Sequence, residues 1–304
     1  MNTPRKHHYV PQFYLRNFAC DAARTRIETV SRINGRAIWE ARSISGIGHE
    51  EDLYVHTSNG VPICVEAAIN SQVEQPISAS DTWKKLSGKQ EHLLDKSDKS
   101  VLYALVRHLE VRNPHYFRGL EDLSKDALDT ANPHYSEDER RMYSFLRANP
   151  DVAKAFHNTM SSSLEWGMQE YRYACITVIR AKKEFFTSTN PVLIAPSLPH
   201  PLQRLLPGMK PYATILPLTR NAAVHMVIAD FGDVFMNIEV SDDVVKGINR
   251  HYVGQFAAFD TLRHLVIPRQ KLIEEMAWAK YGLVRDTPLK VVFMKSVAIG
   301  SSSQ

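Results

Sequence analysis

The apolar pattern of this chain changes period near residue 172, and that change sets the class of fold it can adopt. Before it, apolar residues recur every three or four positions. In SVLYALVRHLEVRNP, Val101, Leu105 and Leu109 line one face, Leu102 and Val106 support them, and Pro114 closes the run. That spacing predicts an amphipathic helix. After residue 172 come short runs rich in β-branched and aromatic residues: YACITVIRA, EFFTST, YATILPLT, AAVHMVIAD, DVFMNIEV and HLVIP. Such runs predict strands. A helix is expected among them over roughly 241–259, another over 269–281, and LKVVFMKSVAIG reads as a final strand.

Earlier in the chain, Asn34-Gly35 sits between two β-prone runs, a strong local signal for a hairpin, with strands near 26–33 and 36–42. VEAAINSQVEQP reads as a helix ending before Pro76, with Val65, Ile69 and Val73 in one line and Glu66, Asn70 and Glu74 in the next. Residues 117–172 read as helical. The expectation is one α+β domain over 1–299: an amino-terminal β-hairpin, central helices with a helical subdomain at about 117–172, and a carboxy-terminal, largely antiparallel sheet. Residues 300–304 are expected to be a loose tail. Six of the sixteen prolines fall between Pro191 and Pro211, which predicts a long irregular loop.

Composition removes several functional classes. The 304 residues are 44% hydrophobic and 23% charged, ordinary for a globular protein. Cys20, Cys64 and Cys175 are far apart and form no CxxC pair, against both a zinc ribbon and a disulfide framework. Reduced thiols, the lack of a signal-like start and the lack of a long apolar stretch predict a cytoplasmic protein without a membrane span. There is no G-x-S-x-G, P-loop or G-x-G-x-x-G, so serine hydrolase, NTPase and dinucleotide-binding readings lose their main support. The net charge is +4, yet residues 1–45 carry eight Lys or Arg against three acids. That basic segment could follow a phosphate backbone, or simply form a solvated face.

The densest word in the chain is KHHYVPQFYLRNF, from Lys6 to Phe18. Pro11 suits the first turn of a helix, and Tyr14, Leu15 and Phe18 share one face of it. His7 and His8 precede it in extended chain, so they point to opposite sides and only one faces a given site. The word has a superficial likeness to the first strand of an HNH nuclease, but RNFACDA supplies no second histidine. Arg112 falls on the apolar face of the 101–112 helix, four residues after His108. A buried guanidinium needs a partner; Glu74, Glu66 or a phosphate would serve.

These words together resemble the domain of unknown function 4238 family, mostly bacterial proteins without an assigned reaction. The resemblance rests on HHYVPQFYLRNF, on Glu74 and Glu66 of the second helix, on Arg112 with Pro114, on TSTNPV with Ser188, Asn190 and Pro191, and on ILPLT and the Asn249 region. It covers about residues 6–262. Thr189 stands where the family word carries aspartate, so no carboxylate is supplied there. The resemblance implies an arrangement of residues rather than a reaction.

The chemistry is read from residue types. His7 or His8, Glu74 and His108 are the candidate catalytic groups. Arg112, Gln12, Ser188 and Asn190 are the candidate substrate contacts. Glu74 and His8 are candidate ligands for a divalent metal, Mg²⁺ or Mn²⁺. The leading expectation is a metal-dependent nuclease or nucleotide-processing phosphodiesterase acting on nucleic acid or a nucleotide, of a kind suited to a bacterial toxin or phage-defence role. The alternatives are a non-enzymatic nucleic-acid or protein-binding module with a structural polar network, and an enzyme on a small anionic metabolite.

Overall fold

The first strand, β1 (Lys6–His8), is short because Pro11 ends the extended segment and starts a helical turn. Helix α1 (Gln12–Leu15) runs into a 3₁₀ turn, Arg16–Phe18. Tyr14, Leu15 and Phe18 are buried, and Phe13 meets Trp83 edge-on, with centroids 4.8 Å apart. A computed structural model describes residues 5–33, 36–114, 137–163, 168–195, 212–228, 233–258, 263–268 and 291–293 of the chain.

Strands β2 (Arg26–Ile33) and β3 (Arg36–Ser43) form the expected hairpin, Arg26 opposite Ser43 and Ile33 opposite Arg36. Asn34 and Gly35 themselves lie outside the described residues. Strand β4 (His49–Glu51) pairs antiparallel with β1 and sets His8 opposite His49. Gly48, just before it, has φ +66°, and a Cβ there would lie 2.8 Å from Val10 Cβ. Its carbonyl accepts from the Tyr9 and Val10 amides at 2.9 and 3.1 Å. Only glycine meets both demands without strain, and the close approach fixes β4 against the opening segment. A second hairpin follows, β5 (Val55–Ser58) with β6 (Val61–Cys64), turning on Asn59 (φ 51°) and Gly60 (φ 76°). Positive φ at both central residues is the hairpin turn that Asn-Gly favours.

Helix α2 (Glu66–Ile69) continues through a π turn, Asn70–Glu74, into α3 (Gln75–Ala79). The expected stop before Pro76 is corrected: the helix carries on to Ala79. A proline lacks its N–H and its ring clashes with the carbonyl four residues back. The wider π turn ahead of Pro76 provides for both, and such turns recur at functional sites. Helix α4 (Asp81–Ser87) is capped by Ser80, whose Oγ accepts from the Trp83 amide at 3.1 Å. Helix α5 (Lys99–Val111) buries Leu102, Leu105, Val106 and Leu109 as its spacing predicts. Within 117–172, the described helices are α6 (Glu137–Ala148), α7 (Pro150–Ser161) and a 3₁₀ turn, Met168–Tyr173; residues 115–136 and 164–167 lie outside the described residues.

The carboxy-terminal half supplies strands for two five-stranded sheets. The first contains β7 (Ala174–Arg180), β9 (Leu193–Ala195), β10 (Tyr212–Pro217), β11 (Ala222–Ile228) and β12 (Val234–Glu239), antiparallel except where β12 runs parallel to β7. The second joins the amino-terminal hairpin to β8 (Thr187–Ser188), β13 (His264–Val266) and β14 (Val291–Phe293) in the order β14-β3-β2-β13-β8. Of EFFTST only Thr187–Ser188 is strand; Phe185 and Phe186 go into the core instead. Helix α8 (Asp242–Ala258) packs against β8 and β13. Part of the expected proline-rich loop is β9, and residues 196–211 lie outside the described residues, as do the expected helix at 269–281 and the tail at 300–304.

Tyr14 links the two sheets. Its hydroxyl donates to the Pro217 carbonyl of β10 at 2.8 Å and meets Thr187 Oγ1 of β8 at 2.8 Å. The opening segment therefore sits in the junction. The face of the second sheet that it covers is mixed: Ile27 and Val266 pack with Tyr14, Leu15 and Phe18, while Thr29, Ser31, Thr187, Thr189 and His264 bury polar groups beside them. The opposite face carries Val30 and Leu265 into an apolar core with Tyr252 and Phe256.

Candidate functional site

The apolar stripe of α5 carries Arg112 into the interior, and the interior supplies a partner for each of its nitrogens. Arg112 is 0% exposed. Its Nε donates to the Tyr54 hydroxyl at 2.9 Å, its Nη1 to Glu74 and to His108 Nε2 (2.8 Å), and its Nη2 to the His8 carbonyl. The Tyr54 ring centroid lies 5.3 Å from Cζ, within cation–π reach. Burial disfavours the charge, but Tyr54 and Glu74 more than offset it, and the Arg112 pKa is raised.

A guanidinium can only donate, so His108 Nε2 accepts and the ring is neutral. Burial, then Arg112, pushes its pKa well below the ordinary value. His108 is thus an acceptor inside the network rather than a group facing solvent.

The two histidines diverge as extended chain requires. His7 is fully buried; its Nδ1 accepts from the Tyr54 amide at 2.9 Å, and its ring stacks on Tyr54 at 5.7 Å. His8 faces the other way and is half-buried. Its ring lies 5.4 Å from that of His49, edge-on, with its Nε2 3.5 Å from Gln12 Nε2. Burial chiefly, then His49, lowers its pKa, while a hydrogen bond to the Ser45 carbonyl opposes the shift. A ring that donates through one nitrogen keeps a lone pair on the other, the form a general base needs.

Glu66 completes the arrangement. It accepts from the His8 amide, so the His8 peptide is held on one side by Arg112 and on the other by Glu66. Its pKa is raised to about 7, by burial first and with Glu74 adding; Arg112 and the His8 amide oppose the rise. Its Oε2 is buried without a hydrogen-bond partner. A partly buried carboxyl poised near neutrality, bonded to the main chain that carries His8, is a candidate for proton transfer.

Asn113, next after Arg112, extends the cluster to the strand end. Its amide donates to the Thr189 carbonyl at 3.2 Å and to Asn190 Oδ1 at 2.8 Å. Ser188 is committed to its own turn: its hydroxyl donates to the Asn190 carbonyl at 2.8 Å and accepts from the Asn190 amide at 3.0 Å. His8, Gln12, Glu74, His108 and Arg112 therefore come together, Ser188 and Asn190 adjoin them through Asn113, and His7 lies behind the strand.

Segments far apart in sequence meet here, and the same segments carry the family words. Residues 6–257 match the family described as protein of unknown function (DUF4238). The chain belongs to that family. Neither a curated protein nor a solved structure matches it.

In this DUF4238 chain both residues expected to hold a metal, Glu74 and His8, are bonded to Arg112, His8 through its carbonyl. Glu74 is committed to Arg112, and among the described residues no group of three or more His, Cys, Asp or Glu is placed to hold an ion. A cleft of 640 Å³, lined by Arg16, Arg24, Lys89 and Arg220 among others, lies elsewhere and includes none of the candidate residues. No described helix is long and apolar enough to cross a membrane.

Proposed function

We propose that this DUF4238 protein cleaves phosphodiester bonds in nucleic acid or a nucleotide by general acid–base catalysis, with His8 and Glu66 as the proton-transfer pair. The observation that carries the reading is the Glu66 carboxyl, raised to about 7 where it accepts from the main-chain amide of His8. Neutral His8 takes the proton from the attacking hydroxyl or water. Protonated Glu66 returns one to the leaving oxygen. Positioned groups of this kind contribute about 10²–10⁴-fold each. Arg112 acts as a positioning residue, since its charge is already matched by Glu74 and its Nη2 is bound to His8. An activity of this type would suit a toxin or phage-defence role.

The test is incubation of the purified chain with single-stranded RNA, single-stranded DNA and dinucleotides, in EDTA and in added Mg²⁺ or Mn²⁺. Cleavage is expected in wild type and lost in His8→Ala and Glu66→Gln. Cleavage that persists in EDTA supports the acid–base pair; strict dependence on Mg²⁺ or Mn²⁺ returns the reaction to a bound metal. Equal cleavage by wild type and Glu66→Gln overturns the assignment.

One observation favours a second reading, a non-enzymatic binding module with a structural polar network. Arg112 is fully buried and every nitrogen of its guanidinium is bonded, which is what a network serving only stability would look like. Binding of nucleic acid without turnover, unchanged by Glu66→Gln, would establish it.

A further inference from the structure

We propose that His49, His264 and Ser31 form a receiving site for a phosphate group beside His8. This deepens the acid–base reading by saying which part of the substrate lies next to the reacting atoms.

The argument starts from the strand register. β13 pairs with β2 so that His264 stands directly opposite Ser31, and directly opposed residues share a face of the sheet. Both are on the face that also carries Ile27 and Val266, 9% and 3% exposed. His264 Nδ1 and Ser31 Oγ are nevertheless without a hydrogen-bond partner, and so is His49 Nδ1. Buried polar atoms are nearly always bonded, so three orphans in one neighbourhood ask for a guest. The main chain around His264 is fixed by Thr189: the Thr189 amide donates to the His264 carbonyl at 3.0 Å, and the His264 amide donates to Thr189 Oγ1 at 3.3 Å. That places the orphans next to the strand end that Asn113 ties to Arg112.

The sign of the guest follows from the local field. Burial first, then Arg42, Arg263 and His49, lowers the His264 pKa to about 4. Burial, Lys6 and Arg263 lower that of His49. The acids nearby are engaged: Glu40 with Arg42 (Nε to Oε1 2.5 Å), Glu50 with Arg263 at 3.6 Å and Glu51 with Arg5 at 3.1 Å. The charges that act on His264 itself, Arg42, Arg263 and His49, are all positive, so an oxyanion accepting from the orphaned donors suits the place better than a cation. Arg263, with its side chain 58% exposed, and half-buried His49 are the members of the group that reach toward solvent.

An anion in this place favours the protonated imidazoles, so its binding takes up protons. For one linked proton, affinity rises about tenfold for each pH unit lost. Lys6, Arg42, Arg263, Glu40, Glu50, Glu51 and His8 are the charged and titratable groups around the pair; Glu51 and a hydrogen bond to the Gly46 carbonyl oppose the lowering at His49.

The experiment is a titration of histidine-ring NMR resonances in the full chain at pH 5.5 and 7.5. The probes are inorganic sulfate, whose charge is constant over that range, and a short single-stranded RNA. Ring signals of His49 and His264 are expected to move together and saturate, more tightly at the lower pH, while exposed His92 stays still. Ser31→Ala is expected to weaken sulfate several-fold, and His264→Gln to abolish the effect at His49. Absent shifts, or equal shifts at His92, overturn the site. RNA binding in the same place as sulfate identifies a backbone phosphate; sulfate binding without RNA binding restricts the guest to a small oxyanion. Glu66→Gln should leave the titration intact while removing cleavage, so either idea can fail without the other.

Discussion

Helix α5 buries a cation at each end, and the two ends are not alike. At its start, Lys99 is 0% exposed and pairs at 2.5 Å with Asp233, which is 47% exposed and shared with Lys96 at 2.7 Å. The Tyr171 ring lies 4.8 Å from the ammonium. Just beyond its other end, Arg112 is also 0% exposed, but its carboxylate partner is only 17% exposed and three other groups share the guanidinium. The lesson is that a buried cation does not mark a site by itself. Lys99 latches one helix to a surface loop. Arg112 holds the main chain of His8, and so sets where an imidazole stands.

That contrast can be broken in several ways. The largest effect is expected from Arg112→Ala, which leaves Glu74 and Tyr54 without their donor. Removing one partner of a buried pair costs about 3–5 kcal/mol, so urea unfolding should show a loss of that order; a loss below about 1 kcal/mol would make the Arg112 end no different from a surface pair. Glu66→Gln comes next. It should lower phosphodiester cleavage by about 10²–10⁴-fold without lowering thermal stability, which separates the reacting edge from the scaffold behind it.

The pH dependence of stability should differ between the ends. Glu66 rises from an ordinary 4.5 to about 7 on folding. Its contribution is therefore complete below about pH 4.5 and lost as pH rises through about 7. The Tm of wild type relative to Glu66→Gln should fall over that window; a flat difference would show that the carboxyl is not raised. Asp233 moves the other way, from 3.8 to about 2, held down by Lys96 and Lys99. Its contribution is present above pH 3.8 and lost only as pH falls through about 2. The smallest effect is expected from Lys99→Met. Asp233 is half exposed and keeps Lys96, so the unfolding free energy should change by no more than about 1 kcal/mol.

Much of this scaffold was legible from local pattern. The β2–β3 hairpin followed from Asn34-Gly35, and the burial of Arg112 from its place on the stripe of α5. That it needs a partner followed from its charge, with Glu74, Glu66 and a phosphate all open; the fold supplies Glu74. The β5–β6 hairpin carries the same Asn-Gly signal at Asn59-Gly60 and could have been found by it. The π turn at Asn70–Glu74 could not be read so simply, because it shifts the phase of the helix and with it the relation of Glu66 to Glu74. Glu66 reads as one of many carboxylates on a helix flank. Only the packing of β1 against it removes its water and raises its pKa. His49 and His264 share that difficulty: each is an isolated histidine in a short strand, and what gives them meaning is the company brought by β1 and β2.

The placing of β13 between β2 and β8 has a consequence for how the molecule is made. Synthesis proceeds from the amino terminus, so the hairpin at 26–43 emerges from the ribosome long before residues 264–266, its neighbour in the sheet. Until that late strand arrives, one edge of β2 stays open and His8 lacks its final surroundings. Pairings between such distant segments form slowly. A nascent chain of this architecture therefore completes the surroundings of His8 only after residues 264–266 have been made.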